Sequence, residues 1–172
     1  GWPIDIWSAE KAWAFTNGFV KYKGIGSLTQ TTILNWDAIL MNWRTGQFIC
    51  KPDYLENINA RRMDVVLEQN PNPLGMAVRV LRHLSSKDAL QVTARAAAYM
   101  AKCVHMYSLD ELRAAESASY RNTFIDKRVF QFFEVVNGLE RGDIRSRFET
   151  ATEILAKKAG VLKPCEINDL IS

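Results

Sequence analysis

Arg79 and Arg82 stand three residues apart in AVRVLRHL, so a helix there carries both guanidinium groups on one face. Arg95 follows on the next helical stretch. Tyr120 and Arg121 precede a second cationic group, Lys127 and Arg128, and Arg141, Arg145 and Arg147 form a third. Phosphate recognition needs guanidinium forks or ammonium charges, and contact with bases regardless of sequence needs aromatic faces beside them. The same residues also read as solvated helix faces with local salt bridges, Arg82 toward the turn at Asp88 and Arg145 with Glu149 at i,i+4.

Other chemistry has less to build on. His83 and His105 lie on separate helical stretches with no cysteine or carboxylate at ligand spacing, and a lone helical histidine is usually structural. There is no G-x-S-x-G, no H-E-x-x-H and no P-loop. The G-I-G at Gly24–Gly26 lacks a third glycine and a preceding strand, and reads as a flexible connector. Cys50, Cys103 and Cys165 are odd in number and widely spaced, with no C-x-x-C pair. That argues against zinc or a disulfide framework and for a reducing compartment. The expectation is therefore no catalytic residue, no metal and no cofactor.

The elements that position these residues come from a chain of 172 residues, 48% hydrophobic and 24% charged, an ordinary globular composition. That length suffices for one domain or two small lobes. Net charge is +3, and its placement is uneven. Residues 1–75 hold seven cations and seven anions, whereas Met76 to His105 holds five cations (Arg79, Arg82, Lys87, Arg95, Lys102) against Asp88 alone. No apolar run approaches the length that spans a membrane, so no membrane partner is expected. GWPIDIWSAEKAWAF lacks the basic start and apolar core of a signal peptide.

Helical spacing dominates. A first helix is expected from Ser8 as N-cap to near Gly18, and a second from Thr29 to Arg44, with Ile33, Trp36, Leu40 and Trp43 on one face and Gly46 as C-cap. Residues 57–69 suit a third, weakened by β-branched Val65 and Val66. NPNPLG, residues 70–75, reads as a lobe boundary or hinge, because residues before proline avoid the α region. A short helix then runs to about Leu84. Ser85–Asp88 offers a cap for the alanine-rich DALQVTARAAAYMAKCVHM, and Ser108 with Glu111 makes a capping box. Asp126 caps KRVFQFFEVV, closed by Asn137-Gly138, and a last helix runs from Asp143 to Gly160. In KRVFQFFEVV, Phe130 and Phe133 share one face and Val129, Phe132 and Val136 another, so the aromatics read as core while Lys127 and Arg128 face a ligand. Trp36 and Trp43 also read as core. Trp2 and Trp7 sit in an amphipathic beginning of the kind that docks on a neighbouring subunit.

The stretch FQFFEVVNGLERGDIRSRFETATEILAKKAGV resembles the C-terminal part of coat proteins from flexible filamentous plant viruses, the potyvirus, potexvirus and closterovirus kind. Their motif has the form F-D-F-[FY]-[ED]-V followed by a basic helix, and AVRVLRHLSSKDAL resembles the arginine-bearing helix before it. The similarity covers residues 76–160, and the phenylalanine motif is its specific part. It implies a helical domain that polymerises on single-stranded RNA, with arms on neighbouring subunits, in a virion and in the host cytoplasm. The family's groove arginine falls on Arg79 or Arg82. Its motif aspartate falls on Gln131, so Glu134 one turn later would serve in its place.

The combined expectation is an all-α fold, about seven helices around a single core in at most two lobes. Residues 1–26 form an arm and first helix, 27–69 an N-terminal helical lobe, 70–75 a hinge or turn, and 76–172 a basic helical lobe. The expected function is encapsidation of single-stranded RNA in helical filaments, with an all-helical protein-interaction domain as the alternative. Arg79, Arg82, Arg95, Arg121, Lys127 and Arg128 are the phosphate contacts, with Glu134 beside them and Ser119 or Ser86 as hydroxyl donor. Trp2, Ile4, Ile6 and Trp7 are the subunit contacts.

Overall fold

The computed structural model of the chain describes residues 5–86, 89–127, 129–130 and 163–164. Within them helices and strands mix, which corrects the all-α expectation. Five short strands make a two-stranded antiparallel sheet and a three-stranded parallel one.

The start is helical in two short pieces, a 3-10 turn at Ala9–Lys11 and α1 at Trp13–Thr16, ended at Gly18 by a positive φ of 73°. Ser8 stands before the first turn without a side-chain capping bond. The helix expected over 29–44 does not form. In its place are 3-10 turns at Ile25–Gln30 and Asn35–Asp37, then β1 (Ile39–Met41) and β2 (Phe48–Cys50), paired Met41 with Phe48 and Ile39 with Cys50. Two causes outweigh the helical spacing. Asparagine side chains bond the backbone locally: Asn42 Oδ1 accepts from the Arg44 and Thr45 N–H groups, forming the hairpin turn. Distant backbone supplies the rest, since Val66 N–H donates to Ile33 O at 2.9 Å and Leu67 N–H to Thr32 O at 3.1 Å.

The third expected helix is likewise cut short. α2 spans Tyr54–Asn59, Arg61 turns left-handed at φ 50°, and β3 (Arg62–Met63) follows. The β-branched Val65 is extended and bridges Leu34, in keeping with its stiff χ1.

NPNPLG is a capped helix start. Pro73 is the first residue of α3 (Pro73–Ser86), where its missing N–H costs nothing, and Asn72 Oδ1 accepts from Gly75 N–H at 3.0 Å. α3 continues past Leu84 to Ser86, so Ser85 and Ser86 belong to it; Lys87 and Asp88 of the expected cap lie outside the described residues. After it come β4 (Gln91–Val92) and α4 (Ala94–Met106), whose N-cap is Thr93, its hydroxyl accepting from Ala96 N–H at 3.1 Å. β4 pairs with β3 on one side and with β5 (Lys163–Pro164) on the other. α5 (Leu109–Ser119) begins with the expected capping box of Ser108 and Glu111.

One buried cluster joins these parts. Ile33, Leu34, Met63 and Val65 pack with Val78 and Leu81 of α3, Ala96 and Met100 of α4, Leu112 of α5, and Ile125 and Val129 beyond. It therefore draws on residues from both sides of the 70–75 turn. The small side chains of Ala96 and Ala97 sit buried, as expected of an alanine-rich helix approached closely by its neighbours. Among the described residues no helix is long and apolar enough to cross a membrane.

Candidate nucleic-acid interface

α5 ends at Ser119, and the chain leaves it extended at Tyr120. What shapes the next six residues is a carboxylate in the last turn of α5. Glu116 is fully buried, and its oxygens accept from Phe124 N–H at 2.9 Å and Ile125 N–H at 3.1 Å. They also accept from Arg82 Nη1, whose side chain on α3 is only 14% exposed. Arg82 donates as well to the Asn122 carbonyl, and its guanidinium lies over the rings of Tyr120 at 4.0 Å and Phe124 at 4.8 Å. Arg113, also on α5, fastens the far end through Nε to the Ile125 carbonyl at 3.0 Å. A buried carboxylate needs such partners, because an uncompensated charge in the interior costs several kcal/mol.

The result is an edge of set shape running from Tyr120 to Lys127. Its exposed residues are basic and aromatic: Arg121 and Lys127, with Tyr120 and Phe124, and Arg113 on the helix before it. Glu116 is consumed by the interior bonds and Asp126 is half-buried, so the exposed charge of this edge is positive. The other two acids of α5, Asp110 and Glu111, lie in its first turn, where the Ser108 hydroxyl and backbone N–H hold the Glu111 carboxyl below its usual range. Cations beside aromatic faces can hold the phosphates and bases of a single strand without reading sequence.

Of the residues singled out from the sequence, Arg121 and Lys127 lie on this edge, with Ser119 exposed just before it. Arg82 lies beneath it, bonded inward to Glu116 and to the Asn122 carbonyl, so it shapes the edge from below; Asp88 lies outside the described residues. Arg79 sits one turn earlier on α3 and turns to Asp37, 2.9 Å away. Arg95 is exposed at the start of α4 and donates to the Val66 carbonyl at 2.9 Å. The spacing of Arg79 and Arg82 thus gives two cations with two different acidic partners. Ser86 is the last residue of α3. Arg128, Glu134, Trp2 and Ile4 lie outside the described residues, as do Gln131 and the rest of the phenylalanine motif beyond Phe130. Val129 is buried and Phe130 packs against the core, in line with an apolar helix start. Ile6 and Trp7 are 93% and 65% exposed. Trp36 is half-buried, its indole N–H on the Arg62 carbonyl at 2.7 Å, whereas Trp43, expected in the core, is 88% exposed at the hairpin tip. His83 meets the Trp36 ring edge-on, and His105 is exposed in the last turn of α4.

Sequence reasoning did not find Glu116, Arg113 or Phe124. Glu116 and Arg82 are 34 residues apart, and nothing local marks them as partners. The usable hint was an acid in the last turn of a helix, where the dipole disfavours it unless a cation is near. Comparison of the chain with protein families, with curated proteins and with solved structures finds no match.

Proposed function

We propose that this chain is a structural protein, not an enzyme, that binds single-stranded RNA without sequence specificity and assembles on it. The observation that carries the reading is the edge from Tyr120 to Lys127. Arg121 and Lys127 are exposed there in the same segment as the partly exposed rings of Tyr120 and Phe124, with exposed Arg113 fastened to it from α5. Fixing that edge before RNA arrives lowers the ordering cost of binding. The resemblance of FQFFEVVNG and the stretch after it to coat proteins of flexible filamentous plant viruses supports the same reading. Virion and host cytoplasm are the locations it implies. Exposed Ile6 and Trp7 supply a contact for a neighbouring subunit, each releasing about 1.5–3 kcal/mol when fully buried.

The test is binding of the purified chain to labelled single-stranded and duplex RNA at a series of salt concentrations. Preference for the single strand, with steep salt dependence and filaments in negative-stain images, is the expected result. A protein-interaction domain with no affinity for nucleic acid is the competing reading. Ile6 and Trp7 favour it, since exposed aromatic and aliphatic anchors suit a protein partner equally. Absence of RNA binding at low salt would select it.

A further inference from the structure

The tip of the β1–β2 hairpin is closed by backbone and side-chain hydrogen bonds. Asn42 N–H donates to Gln47 O at 2.8 Å, Gly46 N–H donates to Asn42 O at 2.8 Å, and the Asn42 side chain caps the turn from within. Gly46 supplies the positive φ of 69° that the turn requires. Leu40 and Ile49 form the inner face, where Ile49 Cγ2 comes within 3.5 Å of the Cβ position at Gly26. The other face presents Met41 opposite Phe48, 50% and 65% exposed, and Trp43 stands out at the tip. A turn fixed by this many bonds to hold a tryptophan in water needs a reason beyond folding. Charge indicates the partner: between Asp37 and Asp53 there is no acid, while Arg44 and Lys51 are both exposed.

We propose that this hairpin is a second contact for single-stranded RNA, with Trp43 and Phe48 stacking on bases and Arg44 and Lys51 pairing with phosphates. It rests on the RNA-binding reading and adds a site separate in sequence from the edge at 120–127. Aromatic faces with cations in a stretch that holds no acid from residue 38 to residue 52 suit a strand of stacked bases. Lipid is the less favoured partner, because Asn42, Thr45 and Gln47 surround the tip with polar groups that gain nothing from an apolar phase.

The test uses the full chain and a fluorescent oligouridylate. Trp43→Ala should weaken binding about tenfold with the salt slope unchanged, and Trp43→Phe should restore most of it. Arg44→Ala with Lys51→Ala should lower the salt slope by about 1.4. An oligomer carrying 5-iodouridine should crosslink to Trp43 or Phe48. If Arg121→Ala with Lys127→Ala weakens binding while Trp43→Ala does not and no crosslink maps to the hairpin, this inference is overturned and the first interface remains. If the unaltered chain binds no RNA, both readings are lost. If Trp43→Ala abolishes only self-association or binding to anionic vesicles, the hairpin serves protein or lipid, and the inference is again overturned.

Discussion

Glu116 shows how a single buried charge can set the shape of a surface from beneath. Its partners, Arg82 and the N–H groups of Phe124 and Ile125, all lie on other segments. Replacing Glu116 with Gln removes the buried negative charge that Arg82 Nη1 and two backbone N–H groups share, and breaking a buried pair from one side should cost about 3–5 kcal/mol of stability. Urea unfolding measures it, and a change below about 1 kcal/mol would mean that the pair is solvated. Arg82 itself was legible as a cation but not as a buried one, because its partner Glu116 comes a helix and a half later. The cysteines make a second test. Burial pushes the Cys103 thiol up to about 11, while Cys50 is exposed. With the folded pKa raised, its contribution to stability is whole below the ordinary thiol range and is lost as pH rises toward 11. Peptide-mapped labelling at pH 8 should mark Cys50 at once and Cys103 only in denaturant; early labelling of Cys103 would contradict its placement.

Among the elements, those set by local bonds could be read from the sequence and those set by distant pairing could not. The capping box of Ser108 and Glu111 spans three residues and was visible. Ser108→Ala should cost about 1 kcal/mol in thermal or chemical unfolding. The Glu111 carboxyl, held low by Ser108, supports the fold above the ordinary carboxylate range, and that support fades as pH falls through its lowered pKa. Residues 29–44 were misread because Ile33, Trp36, Leu40 and Trp43 fit a helical stripe while strand pairing with residues 65–67 and the Asn42 turn decide the outcome. NPNPLG reads as a lobe boundary or hinge; in the structure its second proline is the first residue of α3. Gly46→Ala, forced to a positive φ, should cost about 1 kcal/mol, and a neutral result would show that the hairpin turn is not as described.

The whole molecule brings together a mixed core, an exposed apolar beginning and a basic edge set by the helices beneath it. The uneven charge of the sequence pointed to residues 76–105, whereas the exposed cations Arg121 and Lys127 lie beyond that span. Arg79, Arg82 and Arg95 are instead bonded to other parts of the fold, which the spacing of cations cannot reveal. Ile6→Ala with Trp7→Ala should reduce self-association in sedimentation without shifting the melting temperature, since neither side chain is covered within the chain. The most direct test of the account is the salt dependence of oligouridylate binding by the chain and by its Arg121→Ala, Lys127→Ala variant. Loss of two phosphate contacts should lower the slope of log K against log salt by about 1.4 and weaken binding at low salt, with stability unchanged. An identical slope and affinity in the two proteins would contradict the proposed interface.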